Sequence, residues 1–262
     1  MSFRIAAWNV NSINARLPTV LAVLEAITAD VICLQELKCE DAKFPRPEIE
    51  AAGYNVQTHG QKTYNGVAIL SKHRIEEVAA RLPGDDTDEQ ARYLEAVIAA
   101  PKGPVRVASL YCPNGNPVGT EKFAYKLAWM NRLEAKAKAL LSLEEPLVLA
   151  GDFNIIPRLE DCYDPNAWAA DALFQPESRA AYRRLANLGF TDAYIQADAR
   201  AHQYTFWDYQ AGAWPKDHGI RIDHLMCSPQ AADRLKAVGI HRAARALEKP
   251  SDHVPIWADF DL

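Results

Sequence analysis

The chain has no apolar run of membrane-spanning length, and its first residues lack the charged segment followed by a long hydrophobic stretch that marks a secretion signal. It is therefore expected to stay in the cytoplasm and off the membrane. Cysteine is scarce and unpatterned. Cys33, Cys39, Cys112, Cys162 and Cys227 form no CxxC pair, and their odd number fits reduced packing residues better than a disulfide frame. Zinc spacing is missing, since no HxxxH or Cys/His cluster occurs, and there is no GxSxG elbow of the serine-hydrolase type. No Ser/Gly-rich linker, low-complexity tract or fixed-period repeat divides the 262 residues, so a single domain over 1–262 is expected. Basic residues are not in excess either: 29 Lys and Arg against 34 Asp and Glu leave a net charge of -5. That balance counts against a protein that coats nucleic acid by nonspecific phosphate neutralisation, but does not exclude a nuclease whose acids gather around a cation.

What is present is an alternation of short buried strands and amphipathic helices. Phe3 to Val10 alternates apolar side chains, and Leu17, Val20, Leu21, Leu24 and Ile27 then recur at helical spacing. Val31 to Leu34 reads as a buried strand, Pro47 to Ala52 as a brief helix, and Tyr54 to His59 and Gly66 to Ser71 as strands. Tyr93 to Ala100 and Val105 to Tyr111 are joined across Pro101 to Pro104, a turn short enough to force an antiparallel hairpin, so the sheets must be mixed. Phe123, Leu127, Met130, Leu133, Ala137 and Leu140 predict a long helix; Leu147 to Ala150 follows as a strand. A helix over Ser178 to Leu188 and strands near Tyr204 to Trp207, Ile222 to Cys227 and Ile256 to Phe260 complete the pattern.

Acids and amides stand where these apolar runs end: Asn9, Glu36, Asp152, Asn154, Asp223, Asp252 and His253. Buried strands that each deliver a polar side chain to a shared sheet edge build a ligand site there. Phosphodiester hydrolysis asks for such a set, because the ester is an anionic, poor electrophile that needs a cation, a positioned water and help for the departing oxygen. Glu36, assisted by Asn9 or Asn11, is the candidate metal ligand, and oxygen donors of this kind suit Mg²⁺. In Gly151-Asp152-Phe153-Asn154, the glycine permits close approach just where two acceptor-bearing side chains leave the strand. Asp152 is placed to position or deprotonate water, and Asn154 to hold phosphate or metal. Asp223 is expected to pair with His253, fixing the imidazole tautomer and raising its basicity. Lys38, Lys43, Arg46, Lys62, Lys216 and Arg221 are the basic residues available to line a groove.

Eight segments together resemble the exonuclease III family of apurinic/apyrimidinic endonucleases, within the endonuclease/exonuclease/phosphatase superfamily. They are Trp8-Asn9-Val10-Asn11, Leu34 to Lys38, Tyr64 to Ala68, Leu110 to Gly115, Gly151 to Asn154, Tyr204 to Tyr209, Arg221 to Asp223 and Pro250 to His253. The resemblance implies a DNase I-like four-layer α/β/β/α sandwich of two mixed sheets flanked by helices, with the site at one edge. It implies a monomeric, Mg²⁺-dependent enzyme, with Mn²⁺ as substitute, that cuts duplex DNA 5′ to an abasic site and leaves a 3′-hydroxyl. The same site would carry 3′ to 5′ exonuclease and 3′-end-cleaning activity. By similarity Glu36 holds the metal with Asn9 or Asn11 nearby and Asp252 beside it or its waters. Asp152 and Asn154 position the nucleophile, Tyr111 contacts the phosphate or supports the leaving group, and Asp223 orients His253. Asn114, Phe206, Ile220, Arg221 and Ile222 are the implied substrate-binding residues, with Phe206, Ile220 and Ile222 in an apolar patch for an extrahelical sugar. Three positions depart from the usual pattern: Leu37 for Thr, Asn14 for a basic residue, and Ile220 for Trp or Leu. The rival readings are a superfamily phosphatase or RNA-directed nuclease, and a noncatalytic DNA-binding module.

Overall fold

A computed structural model describes residues 2–262. The first half of the chain forms β1 (Phe3–Asn9), α1 (Leu17–Ile27), β2 (Val31–Gln35), α2 (Arg46–Ala51), β3 (Asn55–His59), β4 (Val67–Ser71), β5 (Ile75–Ala80), β6 (Tyr93–Ala100), β7 (Gly103–Tyr111) and α3 (Glu121–Leu141). The second half adds β8 (Leu147–Asp152), α4 (Pro165–Trp168), α5 (Pro176–Leu188), β9 (Thr191–Asp192), α6 (Ala193–Ala197), β10 (Asp223–Cys227), α7 (Pro229–Ala232), β11 (Leu235–Ile240) and β12 (Ile256–Phe260). Two six-stranded sheets result, ordered β11-β12-β1-β2-β4-β3 and β5-β6-β7-β8-β10-β9.

Strands β2, β4 and β8 read as near-continuous apolar runs because both of their faces are covered, and β1 is covered likewise except at Arg4. Alternate side chains divide between two layers. Ile5, Ala7, Val31, Cys33, Val148 and Leu225 pack between the sheets, whereas Ala6, Trp8, Ile32 and Leu34 turn outward to Val20, Val23, Leu24 and Ile27 of α1. On the other sheet Leu147, Leu149 and Met226 meet Trp129, Met130 and Leu133 of α3 and Leu185 of α5. The layers are therefore α/β/β/α, and each sheet mixes one parallel pair, β1 with β2 or β7 with β8, with antiparallel neighbours. No helix among the described residues is long and apolar enough to cross a membrane.

Three expectations are corrected. Tyr204 to Trp207 forms no strand; Phe206 makes only isolated bridges to Ile220 and His253. Strands β5, β9 and β11 go unmarked in the sequence because they lie at or near sheet edges, where one face is open and the apolar alternation lapses: Val78 to Ala80 of β5 are exposed. The inward face of α3 is also rotated from the predicted one. Phe123 and Leu127 are half-buried, while Trp129 and the charged Lys126 are buried.

Candidate active site

One edge of the sandwich receives a polar side chain from each central strand, and the topology makes this unavoidable. The parallel partners β1 and β2 end together, with Asn9 opposite Gln35 and Glu36 next in the chain. Strands β7 and β8 end together, with Tyr111 opposite Asp152. Strand β10 runs antiparallel to β8 and so begins at this edge, which places Asp223 opposite Asp152. The segment entering β12, antiparallel to β1, brings Asp252 and His253 to the same edge. Three of the residues there, Asn11, Glu36 and Asn154, hold left-handed backbones with φ of 45°, 53° and 47°, which non-glycine residues rarely adopt and which turn the side chains out of the strand direction. Gly151 is required: a Cβ there would sit 2.0 Å from the Leu110 carbonyl oxygen.

The two sheets are joined by Asn9, whose Nδ2 donates to Glu36 Oε1 at 2.8 Å and to Asp152 Oδ2 at 3.0 Å. Tyr111 donates its hydroxyl to Glu36 Oε1 at 2.9 Å. Lys38 places its ammonium 2.9 Å from Glu36 Oε2 and also donates to Asn11 Oδ1. Asn11 in turn donates to Asp252 Oδ1 at 3.0 Å. Asp152 accepts the Asn154 backbone N–H at 2.8 Å, and the Asn154 amide spans Cys112 O and Asp152 Oδ2. Asn114 donates to Asn154 Oδ1. His253 Nδ1 lies 2.8 Å from Asp223 Oδ2, which leaves Nε2 facing Asp152 Oδ2 at 3.8 Å.

These contacts drive the acids apart electrostatically. Burial works to raise the Glu36 carboxyl, but the Asn9 hydrogen bond and the Lys38 charge outweigh it and hold the group below its ordinary value. Asp152 is pushed up to about 7, chiefly by burial, with Asp223 adding to the effect and the His253 charge opposing it. Burial alone would lower His253; the Asp223 carboxylate, with Asp152 and Asp252, instead raises it to about 10, so the ring is cationic at neutral pH. Burial and the Glu36 charge hold the Tyr111 hydroxyl well above its usual range.

Residues 6–253 match the Endonuclease/Exonuclease/phosphatase family. The chain belongs to it. Exodeoxyribonuclease III of Haemophilus influenzae is 35% identical over 98% of this chain and 99% of its own length. An AP endonuclease from Archaeoglobus fulgidus superposes with a TM-score of 0.94 at 35% identity, covering 99% of this chain and 100% of the other. A 3′ phosphatase from Neisseria, solved with a product DNA hairpin, gives a TM-score of 0.95 at 39% identity over the same shares.

Nucleases of this family depend on a metal ion, and the donors here suit a hard one. The Lys38 ammonium rests between Glu36 Oε2 and Asn11 Oδ1, so two of the expected ligands already stabilise positive charge at this point. Asp223 Oδ1 is buried without a partner, and Asp152, Asp223 and His253 offer ligand atoms within 4.8 Å of one another. Asn9 turns its NH₂ to the carboxylates and its oxygen to the Asn11 N–H.

A cleft of about 300 Å³ opens onto this edge. Its polar lining residues include Glu36, Tyr111, Asn114, Asp152, Asn154, Asp252 and His253, and its apolar ones are Trp168, Leu173, Phe206 and Ile222. Ile220 and Arg221 are not in it. Ile220 is fully buried behind Phe206. Arg221, expected to touch substrate, is also fully buried: its guanidinium bonds Asp161 through two nitrogens, Asp192, and His224 Nδ1. Of the other basic residues, Lys43 and Arg46 sit beside Glu40 and Glu50. Trp168, Leu173, Asp171 and Asp208 line the cleft without having been anticipated, because they lie in or beside irregular segments with no periodicity to mark a face.

Proposed function

We propose that this DNA repair nuclease hydrolyses the phosphodiester 5′ to an abasic site in duplex DNA, leaving a 3′-hydroxyl, and trims 3′ ends at the same site. It works as a monomer with Mg²⁺, for which Mn²⁺ substitutes. The observation that carries this reading is the mixed lining of one cleft of about 300 Å³, in which Trp168, Leu173, Phe206 and Ile222 stand with the acids, amides and imidazole. A sugar that has lost its base fits a small apolar slot, and a nucleotide extruded from the duplex reaches one. No Lys or Arg lines that cleft among the described residues, which disfavours a compact polyanion such as an inositol polyphosphate.

Each residue has a task in this reaction. Asp152, ionised above about pH 7, orients the attacking water and takes up its proton. His253, held cationic by Asp223, presents Nε2–H to a non-bridging phosphate oxygen on the side of Asp152. Asn154 and Asn114 form a linked pair of amides that fixes the phosphate beside Asp152. Tyr111 keeps its proton and stands next to Glu36, where its O–H meets the departing oxygen. Glu36, with Asn11 and Asp252 alongside, would hold Mg²⁺, which when bound would neutralise charge that develops as the ester breaks. Phe206 packs edge-on to the His253 ring at 5.0 Å, tying the apolar lining to the imidazole.

Labelled abasic duplex, inositol polyphosphates and single-stranded RNA, each incubated with and without Mg²⁺, test the reading. Nicking of the abasic duplex alone, and only with the metal, is expected. Faster turnover of either other substrate, or nicking that persists in excess EDTA, would sink it, and binding without any cleavage would mark a noncatalytic module.

A further inference from the structure

Lys126 is the one residue of α3 whose burial contradicts its chemistry. Its side chain is fully buried, and burial lowers its affinity for a proton, yet its hydrogen bonds run to two backbone carbonyls and to no carboxylate. A charged ammonium is costly to hold in such a place unless its contacts serve a purpose. The two carbonyls belong to Asn114 and Asn154. Those are the residues whose amides meet each other through Asn114 Nδ2 and Asn154 Oδ1 at 3.3 Å and reach Asp152 through Asn154 Nδ2. Asn154 also sits in the left-handed region, where a backbone needs external restraint to persist. The Lys126 stem fills the space over Gly115, where an added Cβ would lie 2.6 Å from Lys126 Cδ. One side chain thus braces both loops from behind.

We infer that Lys126 is a positioning residue for hydrolysis: its ammonium clamps the loops carrying Asn114 and Asn154, so that both amides meet the scissile phosphate in a single arrangement beside Asp152. The inference rests on the phosphodiester reaction proposed above. The Lys126 amine lies on the protein side of the site, bonded to the Asn114 and Asn154 carbonyls.

Two variants separate the clamp from mere filling of space. Lys126→Met keeps the apolar stem and removes both donors and charge, and Lys126→Gln keeps a donor without the charge. With Mg²⁺ present and well below the melting temperature, Lys126→Met should lower kcat about 10- to 100-fold with KM nearly unchanged, and Lys126→Gln should lose less. Hydrogen exchange should quicken in segments 112–116 and 153–156 of Lys126→Met and stay as in the native protein in strands β1, β2 and β8. A Met variant with native kcat, or one whose exchange quickens throughout the fold, overturns the clamp. Failure of both variants to fold assigns Lys126 to stability and overturns it equally. If the native protein cleaves no DNA but the two segments loosen together in the Met variant, the clamp stands and the proposed reaction falls.

Discussion

At the residue scale, the site works by giving similar groups opposite charge preferences. Glu36 and Asp152 share the Asn9 amide, yet Lys38 keeps Glu36 anionic while burial and Asp223 hold Asp152 near 7. A carboxylate that stays charged suits a cation, and one that titrates near neutrality suits proton transfer. Asp152→Ala should lower single-turnover nicking by about 10²- to 10⁴-fold while affinity for the abasic duplex largely survives, as gel shift would report. The pH dependence follows from the two shifts. The reaction needs Asp152 ionised, so kcat/KM rises as pH passes about 7, and it needs His253 protonated, so kcat/KM falls as pH passes about 10. Asp223→Asn removes the charge that raises His253 against the pull of burial. Its alkaline limb should therefore move to lower pH; an unmoved limb would dissociate the histidine from that side of the profile.

At the element scale, strand ends are held in place by contacts that tolerate no substitution. Strand β8 passes so close to β7 at Gly151 that a methyl group meets the Leu110 carbonyl at 2.0 Å, and the backbone there has a φ of 151°. Gly151→Ala must push the two strands apart at Asp152, at a cost of about 1–3 kcal/mol in urea unfolding, with a loss of kcat beyond what the folded fraction explains. Arg221 acts on another element. From just before β10 it joins the 158–161 turn to the end of β9 through Asp161 and Asp192, and Arg158 also bonds Asp161. Arg221→Met strands two buried carboxylates, so stability should fall by about 3–5 kcal/mol, while the affinity of the remaining folded protein for DNA stays the same. A selective loss of DNA affinity would instead restore the substrate contact that the sequence suggested.

At the scale of the whole molecule, the site straddles two sheets and depends on their stacking. Asn9 and Glu36 come from one sheet and its loops, Tyr111, Asp152 and Asp223 from the other, and the apolar layer containing Ile5, Val31, Val148 and Leu225 fixes their separation. The acids also have partners of their own in Asn9, Lys38, Tyr111 and His253. Fold and metal are for this reason separable. Excess EDTA should abolish nicking yet leave far-UV circular dichroism unchanged and the melting temperature within a few degrees; cooperative unfolding on chelation would contradict the arrangement.

Much of this was legible in the chain itself. Near-continuous apolar runs marked β2 and β8, because strands covered on both faces read that way, and the acids and amides at the strand ends pointed to Glu36, Asp152, Asp223 and His253. The two-residue turn between β6 and β7, with Ala100 opposite Gly103, followed from Pro101 to Pro104. The edge strands β5, β9 and β11 escaped, since a half-exposed strand need not alternate. Charge was a poor guide to burial, since Arg221 and Lys126 are interior, and Trp168 at the end of the short α4 and Leu173 on irregular backbone reach the cleft without a periodicity to mark them. Local sequence sets which residues lie on a strand or helix and which polar group ends it, because those depend on periodicity and backbone sterics over a few residues. Only the packing of one sheet on the other decided which amide meets which carboxylate and which cations are enclosed, because those distances are fixed by contacts between residues far apart in the chain.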